Sequence, residues 1–175
     1  MPTIMTHAVV PLVLAYAAGR DKVPGKLMAV GLVLAMLPDL DVVGFRLGVA
    51  YGDQLGHRGA SHSLLVAVLF AGLPVVLLRP ANRLIAFAFL TLSMASHGLL
   101  DMLTNGGMGV ALFWPFEVER HFFAVTPVKV SPIGAGFFSD RGLAVMASEV
   151  QWIWLPAAVI LGASLLARRV FDRRI

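Results

Sequence analysis

Apolar residues run in five blocks along the chain: Ile4 to Ala18, Leu27 to Leu37, Leu64 to Leu78, Leu84 to Leu100 and Trp152 to Ala167. Charged residues, Gly and Pro collect between them. Such runs predict membrane-crossing helices. Blocks of 11 to 17 residues are nevertheless short for a hydrocarbon core about 30 Å thick crossed at 1.5 Å per residue. Flanking residues, local thinning or burial within the protein must make up the difference. The second block is the shortest. Pro24 suits the first turn of its helix and Pro38 its end, which predicts a short helix packed among its neighbours. Ala15-Tyr16-Ala17 resembles a signal-peptidase site, but no Lys or Arg precedes it, so the first block is read as a retained span.

Composition agrees with this pattern. Of the 175 residues, 58% are apolar and 14% charged, against about 25% charged in an ordinary soluble domain. Mean hydropathy is +0.83. Too little polar material remains to cover a soluble surface. The expected fold is all-α: a single integral membrane domain over residues 1–175, a polytopic bundle of about five short transmembrane helices, with a long outer loop between the fourth and fifth. Cysteine is absent, which removes disulfides, thiolate zinc sites and a cysteine nucleophile together.

The net charge of +4 is topological. If all five blocks cross, nine of the 14 basic residues fall on one side: Arg20, Lys22, Lys26, Arg79, Arg83, Arg168, Arg169, Arg173 and Arg174. Arg46, Arg58, Arg120, Lys129 and Arg141 are spread over the long loops of the other. The positive-inside rule then places the N-terminus outside and the C-terminus in the cytoplasm. A nucleic-acid partner is not expected; the bilayer is. The loop from Met102 to Gln151 is Gly/Pro-punctuated and aromatic, and is expected to fold back over the outer helix ends.

The side chains able to bind metal gather in four places: His7; Asp39 and Asp41; His57 and His62; His97 and Asp101. Topology derived from Lys and Arg alone puts all of them at the outer ends of the first four spans. His97 and Asp101, four apart, share a helix face. Ser61 reads as the N-cap of the third helix, with His62 opening it. Each pair alone has a plain alternative, a His–Asp hydrogen bond or a solvated turn. Ionisable groups at membrane depth are costly, however, and four such clusters in one layer point to a site.

Imidazole and carboxylate suit a divalent metal such as zinc, manganese or iron. Seven ligands oversupply one ion, so two or three ions bridged by a carboxylate such as Asp101 are expected. Such a cluster fits metal-assisted hydrolysis of a phosphoester, with Asp101, His57 and Arg58 as candidate catalytic residues and Arg58 placed to fork onto a phosphate oxygen. Glu117, Glu119, His121 and Glu149 are weaker candidates. Glu149 can complete the metal shell, but an interfacial carboxylate is the favoured reading.

The Thr6-His7 start, Leu37-Pro38-Asp39-Leu40-Asp41, His57-Arg58-Gly59-Ala60-Ser61-His62-Ser63-Leu64, the His97 to Asp101 pair running into Met102-Leu103-Thr104, and Phe113-Trp114-Pro115 together resemble the YdjM-like family of bacterial inner-membrane, metal-dependent hydrolases. The resemblance implies a helical membrane protein and assigns metal ligation to His7, Asp39, Asp41, His57, His62, His97 and Asp101. Many members follow the second aspartate with a histidine where this chain has Val42. The His-x3-Asp pair also looks like the zinc-bridging element of zinc-dependent phospholipase C and single-strand nucleases.

The leading expectation is therefore hydrolysis of a phospholipid or other lipid-linked phosphate. A metal-binding transporter or sensor is the alternative, disfavoured for permeation by nearly all-apolar mid-span positions. A scaffold without metal is the third reading.

Overall fold

The computed structural model describes residues 1–132 and 134–172, and Arg173 and Arg174, counted above in the basic tail, lie outside the described residues. Helices α1 (Ile4–His7) and α2 (Val9–Ala18) form one apolar run, followed by α3 (Gly25–Met36), α4 (Leu64–Leu78), α5 (Arg83–Met102), α6 (Asp140–Glu149) and α7 (Leu155–Asp172). A π-helical turn at Val150–Trp154 joins α6 to α7. Among the described residues there is no β-strand, only isolated bridges between Thr104 and Val128 and between Val110 and His121.

Three helical stretches are long and apolar enough to cross a membrane: Gly25–Leu47, Arg83–Met102 and Asp140–Val170. Ile4–Ala18 and Leu64–Leu78 are apolar but shorter. The second block thus reaches further than its sequence suggested. Pro38 does stop the α-helix, since it lacks the N–H that the ladder needs, but the chain continues as a 3₁₀ helix over Leu37–Leu47 with Pro38 in its first turn. The last helix also begins earlier than expected. Asp140, not Trp152, opens it, with Asp140 in the first turn where a carboxylate complements the helix dipole. The long loop therefore ends near Ser139 instead of Gln151.

Contacts fix the relative direction of two helix pairs. Gly31 of α3 meets Phe89 and Ser93 of α5, while the Ala35 carbonyl further along meets His97, so α3 and α5 run parallel. Thr6 meets Trp154 at one end and the Tyr16 carbonyl meets Arg168 at the other, so α2 and α7 are parallel too. One end of the bundle carries the metal-binding residue types. The other carries the turns at Gly19–Pro24 and Arg79–Asn82.

A core of Leu27, Leu34, Phe89, Leu90 and Met94 is closed by small residues. Ala67, Ala71 and Val75 of α4 fall four apart and are buried, forming a smooth stripe that lets α4 approach α5 closely. The opposite face of α4 leaves Leu69, Leu73, Val76 and Leu77 more than 60% exposed, and only 6% of the apolar window of Asp140–Val170 is buried. In water such faces would cost too much; in lipid they are at rest.

Candidate metal centre

Four segments build the centre. The His57–Ser63 turn lies against α5 because Gly98 has no side chain: a Cβ there would come within 2.7 Å of the His62 carbonyl oxygen. The helix N-cap is Ser63, whose hydroxyl accepts from Val66 N–H. Ser61, expected in that role, instead donates to Asp41 Oδ2 at 2.7 Å and lies 2.9 Å from His62 Nδ1. His97 and Asp101 sit one helical turn apart on α5, both wholly buried, and point into the same centre. The 3₁₀ geometry separates the two aspartates of the α3 extension. At three residues per turn, positions two apart point roughly 120° away from each other, so Asp39 enters the centre while Asp41 turns to the His57 side.

Two donor groups result, sharing His62. Asp39, His62, His97 and Asp101 each offer one ligand atom, all within 4.8 Å of one another, and Asp41, His57 and His62 do the same. Their states differ. In the first group His62 Nε2 lies 3.4 Å from Asp101 Oδ2, and His97 Nε2 lies 3.3 Å from Asp39 Oδ1. Of these, His62 Nε2, His97 Nε2 and Asp39 Oδ1 are buried without a hydrogen-bond partner. His7 joins from α1, its ring stacked on His97 with centroids 3.7 Å apart and its Nε2 3.7 Å from Asp101 Oδ1. In the second group the atoms are already spent on each other, with His57 Nδ1 donating to Asp41 Oδ1 at 2.6 Å.

Supporting contacts aim the ligands. His97 Nδ1–H donates to the Ala35 carbonyl at 2.7 Å, which turns its Nε2 lone pair inward. The Ser61 hydroxyl, itself donating to Asp41, accepts from His62 Nδ1–H and does the same for that ring. Such outer partners set tautomer and basicity at metal sites. Burial disfavours a charged His62, but the carboxylates of Asp101 and Asp41 outweigh it and push its pKa up to about 9.

Arg58 is placed differently from its expected phosphate-binding role. It is wholly buried in a left-handed conformation, φ 65°. Its Nε lies 2.9 Å from Asp101 Oδ2, and its terminal nitrogens donate to the Gly106 carbonyl and Thr104 hydroxyl, both at 2.9 Å. The guanidinium is committed to protein acceptors and holds Asp101.

Glu149 is the largest departure from the sequence reading. Rather than lying at the interface or reaching the metal ligands, it is wholly buried and accepts from Thr3 N–H, Thr3 hydroxyl and Thr6 hydroxyl, each at 2.6 Å. Trp154 Nε1–H reaches Thr6 Oγ1 at 2.7 Å. A carboxylate just ahead of an apolar helix was the available signal. Arg120, a topological charge in the sequence, has a further role: it donates to the backbone carbonyls of Tyr51, Asp53 and His57 and pins the loop that carries His57. Nothing in local spacing marks it. Glu117 and His121 pair with each other at 3.1 Å, partly exposed.

A family model described as YdjM inner membrane protein matches residues 1–174. The inner membrane protein YbcI of Escherichia coli (strain K12) is 42% identical over 173 residues, covering 97% of this chain and 100% of its own length. No solved structure matches.

Proposed function

We propose, from the premise that the chain belongs to the YdjM inner membrane protein family, that it is a membrane-embedded, metal-dependent hydrolase acting on a phosphoester of a phospholipid or lipid-linked phosphate. The observation that carries this reading is the set of buried, unpartnered atoms converging from four segments: His7 Nε2, Asp39 Oδ1, His62 Nε2, His97 Nε2 and Asp101 Oδ1. Buried polar atoms are otherwise satisfied in nearly every case. Charge supports the same conclusion. With His62 neutral, the one guanidinium of Arg58 faces the carboxylates of Asp39, Asp41 and Asp101, and the two surplus negative charges match a divalent cation. Donor chemistry fits zinc or manganese.

Asp39, His62, His97 and Asp101, with His7 beside them, would hold the first ion. Asp41 and His57, sharing His62, would hold a second only if their mutual hydrogen bond opened. The donor set suits one or two ions better than three. A divalent ion supplies Lewis acidity there and brings the pKa of a coordinated water toward neutrality. The chain's own contribution is orientation: Arg58, 2.9 Å from Asp101, keeps that carboxylate aimed, and the Ala35 carbonyl and Ser61 hydroxyl fix two imidazoles. We place the protein in the bacterial inner membrane with five crossings, the N-terminus and the centre on the outer face and the C-terminus in the cytoplasm.

Complete burial of His7, His97 and Asp101 favours a second reading, a metal sensor without turnover. One experiment separates the two. Detergent-purified protein is assayed for bound metal by elemental mass spectrometry and for hydrolysis of phosphomonoesters, phosphodiesters and phospholipid headgroups. One or two ions per chain and a phosphoesterase activity, both lost in His97→Ala, support the hydrolase. Metal without activity on any of these substrates supports the sensor, and absence of metal after reconstitution overturns both.

A further inference from the structure

At the end of the bundle opposite the metal centre, a cavity of about 460 Å³ opens between the α2–α3 turn and the end of α7. Arg20, Arg168 and Arg169 line it, together with Tyr16, Leu165 and Asp21. Three features distinguish it from a merely basic surface. Gly19 occupies a left-handed conformation, φ +95°, and a Cβ there would lie 2.5 Å from the Arg168 terminal nitrogens, so the missing side chain makes room for that guanidinium. Arg168 is tethered through the Tyr16 carbonyl, which accepts from its Nη1 at 3.3 Å. Among the described residues lining it, the one carboxylate is Asp21, exposed and 3.9 Å from Arg168, against three guanidinium groups.

We infer that this cavity binds one phosphate group, and that its source is the headgroup of an acidic phospholipid. Guanidinium groups take phosphate oxygens two at a time. Tyr16 and Leu165 supply an apolar wall on the side facing the helices, where a glycerol backbone and acyl chains would lie. Free phosphate would use the arginines and leave that wall unused. Basic pockets between helices at a membrane's edge hold anionic headgroups for these reasons. The site is independent of the metal centre and asks nothing of its chemistry.

The test uses the full chain in detergent, given equal amounts of dioleoylphosphatidylglycerol and dioleoylphosphatidylcholine and examined by native mass spectrometry. Retention of the acidic lipid should fall about fivefold for each guanidinium removed in Arg20→Gln and Arg168→Gln. Arg83→Gln, which removes a positive charge outside the cavity, should leave it unchanged. Binding of metal, supplied equally to every variant, reports that each remains folded, and thermal midpoint serves the same purpose if no metal binds. Equal retention of the two lipids, or an equal loss in Arg83→Gln, overturns the site in favour of a diffuse charge effect. Displacement of the lipid by millimolar inorganic phosphate overturns the lipid as its source.

Discussion

Glu149 and Thr6, 143 positions apart, share a buried hydrogen bond of 2.6 Å that ties the end of α6 to the residue just before His7. The same carboxylate takes the N–H and hydroxyl of Thr3. Glu149→Ala strips three buried donors of their acceptor at once. An unsatisfied buried donor costs about 1–3 kcal/mol, so the variant should lose a few kcal/mol of stability, read as a lower thermal midpoint in detergent. Its metal affinity should also fall, because α1 no longer holds His7 in register. Glu149→Gln keeps an acceptor oxygen and should recover part of both. Wild-type stability in Glu149→Ala would show that the carboxylate plays no part in holding α1.

How much of this was legible in the sequence depended on the range of the interaction. Helices and the His/Asp layer were readable because apolar blocks and loop charges are local patterns, and because His97 and Asp101 share a face by spacing alone. The separate roles of Asp39 and Asp41 were not, since they follow from a 3₁₀ extension past Pro38, where the sequence predicts the end of the helix. Arg58 lies between two histidines and reads as exposed chemistry; only the fold supplies Thr104 and Gly106 to absorb it. Glu149 was misjudged for the same reason. Its partners come from the far end of the chain, and no local pattern announces them.

Gly98 makes a sharper test of the centre's geometry. A methyl group there would press on the His62 carbonyl oxygen at 2.7 Å, a backbone atom that cannot swing aside. Gly98→Ala should therefore displace the His62 turn and lower metal affinity at least about tenfold, or about 1.4 kcal/mol. Gly72→Ala on α4 is the control, since nothing lies within 4 Å of its added carbon. That change should be neutral or stabilise the helix by up to about 1 kcal/mol. Equal metal affinities in the two variants, measured by titration, would remove the close approach of α5 and His62 as a requirement.

Proton competition at His62 gives a pH dependence of known sign. Its folded pKa, about 9, lies above the ordinary 6.5. In the metal-free protein the protonated ring contributes stability that is complete below about pH 6.5 and is lost as the pH rises through 9. A metal ion must displace that proton, so affinity should climb over the same interval by about tenfold per pH unit, with one proton released per ion. Titration calorimetry in buffers of different ionisation enthalpy measures the released proton directly. His62→Gln should bind more weakly and lose the slope. An affinity flat between pH 6.5 and 9 would remove His62 from the ligand set.

Asp39 separates what the centre needs for folding from what it needs for metal. Asp101 is held by Arg58 at 2.9 Å, and removing its charge would leave a buried guanidinium uncompensated, at about 3–5 kcal/mol. Both oxygens of Asp39, by contrast, are buried without a hydrogen-bond partner. In the metal-free protein, protonated His62 and Arg58 face three carboxylates, leaving one negative charge unbalanced. Asp39→Asn removes that surplus while keeping the shape. It should raise the thermal midpoint of the metal-free protein, by an amount equivalent to about 1 kcal/mol, and abolish the further rise that saturating zinc gives the wild type. A residue tuned for ligation at the expense of stability behaves in this way. A metal-free Asp39→Asn protein less stable than wild type would instead make the carboxylate a structural partner of His97, 3.3 Å away, and the layer an ion-pair network needing no metal.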